Sequence, residues 1–362
     1  MILKKNSVVI TYLPLIENYT DRFTQLVNSA KLRDTIKIIL YTKSLKKTQS
    51  FNHNIPKNLE IVFLNDTILR KSVFLQIFIY LKILHIKNPV LIDWFSSFYL
   101  IGLINKISFG KVIYIFSPVI SNWGWVVKQI SGKVPIFDFR YFLIRLKLVI
   151  PELISIFTSS RVIVQSDALK HFYKKNYKIK NEKLLVNYNY FEINSKEKVL
   201  FKSKNKPILG FIGNFERHKG NVELFNLAKS NTFELKIAGR TSGKKNITLL
   251  NKILNLNNVE LFGDLNWVDI DLFYNNIDIL ILPSFHEGSP RVICEFIKYK
   301  KPIITYRNPG LDYCDKLSHV YQLDYHESFL SFSNIINKIS SKNMYIDLEN
   351  FEIDNKIHLL FK

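Results

Sequence analysis

Short runs of β-branched and apolar residues alternate with stretches of helical period along nearly the whole 362-residue chain. No other feature limits the fold as much. A strand, a helix and a second strand in one sheet make a crossover unit, and a series of such units builds a parallel sheet covered by helices. In the first half strands are expected at residues 7–13, 36–41, 59–64, 90–93, 111–116, 161–165 and 183–187, and helices at 21–32, 69–85, 95–107, 138–157 and 168–176. The polar stretch 194–206 interrupts the series and is the expected linker. Strand and helix then alternate again through 207–212, 221–229, 233–238, 246–254, 259–262, 267–275, 277–282, 290–298 and 302–305. The expected fold class is therefore α/β, with two Rossmann-like, doubly wound domains over residues 1–200 and 201–344. A tail from about 345 to 362 packs back on the first domain. Ligands of such sheets bind outside the carboxyl ends of the strands.

Charge separates the two halves. Lys and Arg number 51 against 30 Asp and Glu, a net of +21, and residues 1–200 hold 30 of the basic and 12 of the acidic groups. The first half thus carries +18 and the second +3, so the first faces an anionic partner. No aromatic-plus-basic RNA motif is present, which turns the reading away from nucleic acid and towards an acidic membrane surface. Cys294 and Cys314 are the only cysteines, so neither a disulfide framework nor a structural zinc site is expected, and a reducing cytosol suits the chain. Met1 to Lys5 resembles the start of a signal peptide, but the apolar run after it meets Glu17 without a cleavage site and reads as a buried strand. The apolar run 73–86 is broken by Gln76, Lys82 and His85, short of the roughly 18–20 residues that span a bilayer. Residues 138–157 carry Arg140, Arg145 and Lys147 among bulky apolar side chains. That pattern describes either a helix lying in a membrane interface or one packed on a sheet with snorkelling basic groups.

Three strand ends in the second half carry residues suited to one ligand. The strand 207–212 stops at Gly213 and is followed by Asn214, Arg217 and Lys219 before a helix; glycine admits close backbone approach, and a helix N-terminus beside a lysine favours phosphate oxygens. A second strand ends at Gly239 and Arg240. The third ends at Pro283 and continues through Ser284, Phe285, His286, Glu287, Gly288, Ser289, Pro290, Arg291 and Val292 to Glu295. Ser289 is a good N-cap and Pro290 a good first helical residue. Glu287 then stands just outside the helix and Glu295 one to two turns inside it. The two carboxylates can reach different parts of an extended ligand, with outward-facing amides between them.

This third stretch resembles the signature of glycosyltransferase family 4, whose P-S-x-x-E-G and E-x7-E spacing Glu287 and Glu295 match. Lys301-Pro302-Ile303-Ile304 and Asn308-Pro309-Gly310 resemble that family's G-K-P-I-I and P-G elements. Gly213-Asn214-Phe215 with Lys219-Gly220 resembles its G-R-L-x-x-x-K-G, and residues 161–166 resemble its V-I-x-x-S strand. The likeness is dense over roughly residues 207–310 and sparse before them. It implies the GT-B fold, two Rossmann-like domains facing a central cleft. It also implies a retaining transfer without metal or other cofactor, in the manner of bacterial O-antigen and capsule enzymes. The donor is a UDP- or GDP-sugar, and the acceptor a lipid-linked saccharide at the inner face of the cytoplasmic membrane. By the same likeness, Glu295 binds the donor ribose and Glu287 the donor sugar. Lys219 neutralises the leaving pyrophosphate with help from the backbone of residues 289–292, and Gly213, Gly239 and Gly288 line the donor.

The sequence departs from that pattern in places. Asn214 stands where the family carries an arginine beside the phosphates, leaving Arg217, Arg240 and Arg291 as substitutes. A G-G loop is missing near the N-terminus, where Asn18 to Arg22 resembles another start found in the family. Phe116-Ser117-Pro118 replaces a frequent histidine. Asp269 and Asp271 form a D-x-D, but acidic residues in a first helical turn have a sufficient cause in the helix dipole. His286 is read as a solvated loop neighbour and Cys294 as core filler. Two other readings of the chain are a sugar-nucleotide epimerase or phosphorylase of the same architecture, and a non-catalytic basic protein that binds an anionic surface.

Overall fold

The computed structural model describes residues 8–12, 37–42, 59–63, 72–93, 96–118, 121–130, 139–187, 198–202, 204–241, 243–265, 267–324 and 329–346. They form two compact units, the chain passing from the first to the second between Tyr190 and Phe191, with Val127–Phe139 counted to the second. The expected helix at 21–32, the Asn18 to Arg22 motif and the tail beyond Ile346 lie outside the described residues.

The first unit is built on seven parallel strands: β1 Val8–Tyr12, β2 Lys37–Thr42, β3 Leu59–Phe63, β4 Pro89–Asp93, β5 Ile113–Phe116, β6 Arg161–Val164 and β7 Leu184–Val186. Their order is β3-β2-β1-β4-β5-β6-β7. Its helices are α1 Val73–Leu84, α2 Tyr99–Ile107, α4 Phe139–Thr158 and α5 Asp167–Tyr177, and α3, Asn122–Ile130, begins in it. Helix α2 starts later than its apolar period implies, and Asp93 is the reason. Its buried carboxylate accepts the backbone N–H of Ser97 at 2.9 Å and of Phe98 at 3.0 Å, and the Tyr114 hydroxyl at 2.8 Å. These bonds hold the chain in a turn before the helix.

Helix α3 is absent from the expected series, because Gly124 and the paired tryptophans Trp123 and Trp125 blur its period. Two caps start it: Ser121 Oγ accepts from Gly124 N at 3.0 Å, and Glu152 accepts from Asn122 N at 2.7 Å. Glu152 lies fully buried on α4 and also takes the hydroxyls of Ser121, Tyr173 and Tyr177. Burial pushes its pKa up, and the bonds from Ser121, Asn122 and Tyr173 oppose the shift. A carboxylate so deep in a core is tolerated when its oxygens are satisfied in this way.

The second unit has six parallel strands in a main sheet: β9 Ile208–Ile212, β10 Glu234–Ala238, β11 Val259–Gly263, β12 Ile279–Leu282, β13 Ile303–Tyr306 and β14 Val320–Leu323, ordered β11-β10-β9-β12-β13-β14. Helices α6 Asn221–Ala228, α7 Lys244–Leu254, α8 Trp267–Asn275, α9 Arg291–Ile297 and α10 Phe329–Ser340 accompany it. The expected linker needs correction. Within it Val199–Phe201 is a strand, β8, which pairs antiparallel with β15, Met344–Ile346. Its lysine-rich surroundings hide a three-residue apolar run whose partner lies far away in sequence. β14 and α10 also lie beyond the expected series. The order of the main sheet reverses between β9 and β12, and ligands of open α/β sheets bind at such a reversal.

Candidate functional site at the carboxyl ends of β9 and β12

Three loops leave adjacent strands and are tied together. After β9, Gly213 N donates to Ala238 O at 3.0 Å and Phe215 N to Arg240 O at 2.8 Å, which joins the loop to the end of β10. The chain then forms a single 3-10 turn over Arg217–Lys219, and Gly220 leads into α6 with φ 83°. A side chain at Gly220 would run into the carbonyl of Pro283, so only glycine permits this contact between the two strand ends. Two residues earlier, His218 O accepts Phe285 N at 3.0 Å.

That contact sets Lys219 against Glu287. Lys219 Nζ donates to Glu287 Oε1 at 2.6 Å, and the carboxylate is nearly buried. An ammonium has three N–H donors, so the pair retains donors for a further anionic group. Asn308, at the end of β13, fixes Glu287 from the other side. Its Oδ1 accepts Glu287 N at 3.1 Å, while its Nδ2 donates to Ser284 O at 2.9 Å and Tyr306 O at 3.1 Å. Gly310 packs on the Gly288 carbonyl so closely that a Cβ would occupy the same space. Gly239 packs on the backbone of Gly213 in the same manner.

The start of α9 differs from expectation. Pro290 is the N-cap and makes no side-chain cap bond, and the helix runs from Arg291 to Ile297. Ser289 therefore stands before the cap. Proline holds the extended backbone that a cap position requires, which explains the displacement by one residue. Glu295 still lies in the second turn, where Oε2 accepts the Tyr274 hydroxyl at 2.9 Å and Oε1 is 3.9 Å from Arg291 Nε. Burial, followed by the Glu295 charge, raises the Tyr274 pKa well above its usual value, so the phenol stays a donor. Val292 and Arg291 are half-buried in the first turn of the helix.

Each of the three arginines faces a carboxylate of its own unit. Arg217 Nη1 donates to Glu223 Oε2 at 2.6 Å and its guanidinium lies 5.0 Å from the centroid of the Phe285 ring. Arg240 Nε donates to Asp264 Oδ2 at 2.6 Å, with both side chains exposed. Arg291 is the partner of Glu295 just described. Asn214 lies on the loop after β9 and is exposed.

The structure thus brings Gly213, Arg217, Lys219, Glu287, Gly288 and Ser289 to one strand-end cluster, and places Glu295 on the helix that leaves it. Tyr274 and Asn308 are the residues that sequence reasoning left out of the site. An asparagine beside a Pro-Gly pair at a strand end was a usable signal for Asn308. Nothing local marked Tyr274. Asp269 lies in the first turn of α8, and Asp271 pairs with Lys298 Nζ at 3.1 Å and with the Tyr299 hydroxyl. No group of three or more His, Cys, Asp or Glu is arranged to hold a metal among the described residues. His286 is buried, not the solvated loop neighbour expected, and Cys294 is buried with Sγ 3.3 Å from the Tyr313 hydroxyl.

On α4, Val149, Glu152, Ser155 and Ile156 are buried while Leu143, Leu146, Ile150 and Phe157 lie in the open. The helix therefore packs by one side and leaves apolar side chains on the other. No helix among the described residues is long and apolar enough to cross a membrane.

Comparison with known proteins adds to this geometry. Residues 192–314 match the family described as Glycosyl transferases group 1. An uncharacterized glycosyltransferase of Methanocaldococcus jannaschii is 25% identical over 184 residues, 47% of this chain and 52% of that protein. One of Haemophilus influenzae is 26% identical over 182 residues, 48% of this chain and 50% of that protein. The matched region thus spans about half the length of these curated relatives. Sucrose-phosphate synthase from Thermosynechococcus elongatus has a similar structure, with a TM-score of 0.71 at 13% identity over 93% of this chain and 90% of that one. WaaG, a glycosyltransferase involved in lipopolysaccharide biosynthesis, superposes with a TM-score of 0.64 at 14% identity over the same shares. The catalytic domain of starch synthase IV from Arabidopsis thaliana, solved with ADP and acarbose, has a TM-score of 0.64 at 10% identity over 94% of this chain and 93% of that one. The chain therefore has the GT-B fold, and its residues 192–314 are similar in sequence to Glycosyl transferases group 1 domains.

Proposed function

We propose that the chain is a retaining glycosyltransferase. It moves a sugar from a UDP- or GDP-sugar onto a lipid-linked saccharide during assembly of a cell-surface polysaccharide such as O-antigen or capsule. The observation that carries this reading is the Lys219–Glu287 pair, set at 2.6 Å where the sheet order reverses. Negative charge gathers on the departing diphosphate in the transition state, and a fixed cation there lowers the barrier. Lys219 supplies that cation, and Glu287 both orients it and accepts hydrogen bonds from donor-sugar hydroxyls. Glu295, held by Tyr274, binds the ribose. Arg217 takes the place of the arginine missing at Asn214, because its stacking on Phe285 fixes it to the loop that carries Glu287. The helix α9 is only seven residues long, so its amides are secondary to the lysine. No metal or cofactor takes part in this scheme. The strongly basic first half seats the enzyme on the inner face of the cytoplasmic membrane.

The test is turnover of a panel of UDP- and GDP-sugars, first selected by thermal stabilisation, since a ligand of the native state raises its apparent stability. Glu287→Ala and Lys219→Ala are each expected to lower turnover by at least about tenfold with the fold retained. Unchanged turnover in both variants removes the site assignment. Conversion of the donor to an epimer without acceptor favours the epimerase reading instead.

A further inference from the structure

The outer face of α1 is an apolar surface that neither the fold nor the donor site uses. Gln76, Ile79, Tyr80 and Ile83 are its buried residues. Phe74 is 86% exposed, Phe78 54% and Leu81 52%, with Ile77 and Leu84 beside them. Their spacing puts all five on one side of the helix. The turn after α2 extends this surface. Tyr80 Oη lies 2.7 Å from Ser108 Oγ, which ties that turn to α1. Phe109 follows at φ 49° and is 95% exposed, and Ile107 is exposed nearby in sequence. A large aromatic residue in the left-handed region is uncommon and costs conformational energy. In this conformation the Phe109 side chain stands in the open.

The charge around this surface names what covers it. Between Asp66 and Asp138 the sequence has a single carboxylate, Asp93. That one is buried and engaged with the start of α2. The same elements carry Lys82, Lys87, Lys106 and Lys111, and Lys82 Nζ lies 4.6 Å from the centroid of the Phe78 ring. A second copy of the chain would set these lysines against each other with no carboxylate to receive them. Nucleic acid would answer the lysines and leave the apolar face against phosphates. An anionic bilayer satisfies both: acyl chains take the phenyl and aliphatic groups, and phosphate headgroups take the ammonium groups.

We propose that the outer face of α1, with Ile107 and Phe109 at the turn after α2, is the surface by which the first unit docks on an anionic lipid bilayer. Aromatic side chains settle at the depth of the headgroups while lysines pair with the phosphates above them. Helix α1 has twelve residues, too short to span the hydrocarbon, so the contact is interfacial. The proposal rests on the membrane half of the function proposed above and specifies which residues serve it. The exposed side of α4 is the competing surface.

Flotation of the full chain with phosphatidylcholine vesicles, with and without phosphatidylglycerol, tests it. The wild-type chain is expected to float with the anionic vesicles and to lose this at high salt. The triple variant Phe74→Ser, Phe78→Ser, Leu81→Ser removes only exposed groups, and a thermal melt checks that it is folded. Its bound fraction should fall by about tenfold or more, while an Ile150→Ser, Phe157→Ser variant on α4 floats as wild type does. In Phe78→Trp, brominated acyl chains should quench the indole. Equal flotation of the triple variant and wild type overturns the α1 surface and leaves membrane association standing. Loss only in the α4 variant moves the surface to α4. No flotation of wild type overturns both, and nucleotide-sugar turnover, measured without lipid, is untouched by any of these results. Concentration-dependent dimers abolished by the triple variant overturn the proposal in favour of a second copy.

Discussion

Acid should weaken the second unit through a single histidine. His319 precedes β14, is fully buried, and neither ring nitrogen has a hydrogen-bond partner among the described residues. Burial lowers its pKa from 6.5 to about 4. The unfolded chain keeps the ordinary value, so between these limits it binds more protons than the native state does. Stability contributed by the neutral imidazole is present above pH 6.5 and is lost as pH falls towards 4. The linkage relation makes this loss about 0.8 kcal/mol at pH 6, about 2 at pH 5 and about 3 at pH 4. His319→Leu has similar volume and cannot take up a proton. The difference in unfolding free energy between the variant and wild type should therefore grow towards low pH by those amounts. Urea unfolding of both proteins at pH 7, 6, 5 and 4.5 measures it, with the slope m checked for constancy. A difference that stays flat across the series refutes the reasoning, as does an NMR titration that places the His319 ring near its ordinary pKa.

Gly310→Ala puts a methyl group on the carbonyl of Gly288, and backbone on both sides prevents an easy retreat. A stability loss of about 1–3 kcal/mol is expected, and donor turnover should fall at least about tenfold because Glu287 shifts with the loop; wild-type kinetics in this variant count against the placement of that loop. Tyr274→Phe removes the donor to Glu295. Measured over a donor titration, KM for the nucleotide sugar should rise by about five- to tenfold with kcat nearly kept. An unchanged KM separates Glu295 from donor binding.

Elements with strong local patterns were legible from residues alone. The strands that became β9, β10 and β12 are short apolar runs ending at Gly213, Gly239 and Pro283, and they end there in the structure. The start of α2 was misplaced because Asp93 caps a turn that periodicity does not register. β8 escaped notice because a three-residue strand has no period of its own, and Met344–Ile346 is far away in sequence. The one-residue shift at α9 has the opposite origin. Ser289 and Pro290 both carry helix-start propensities, and the extended backbone of Pro290 takes the cap position.

Charge partners were the least legible part of the site. Arg217, Arg240 and Arg291 were equivalent as substitutes for the missing arginine, since an arginine beside a strand end carries no mark of its partner. Folding gave each a different carboxylate, Glu223, Asp264 and Glu295. Arg217 also lies over the Phe285 ring, in the loop that carries Glu287.

The parallel α/β character of the chain, the break in pattern before residue 207 and the eight-residue spacing of Glu287 and Glu295 were determined by the sequence itself. They depend on periodicity and capping, which act within a turn or a strand. The pairing of Lys219 with Glu287 joins residues 68 apart, and it exists because β9 and β12 are neighbours where the sheet order reverses. The exposure of Phe74, Phe78 and Phe109 is of the same kind. An apolar helix reads as buried until packing shows which side is covered, and only the tertiary structure leaves that side of α1 uncovered.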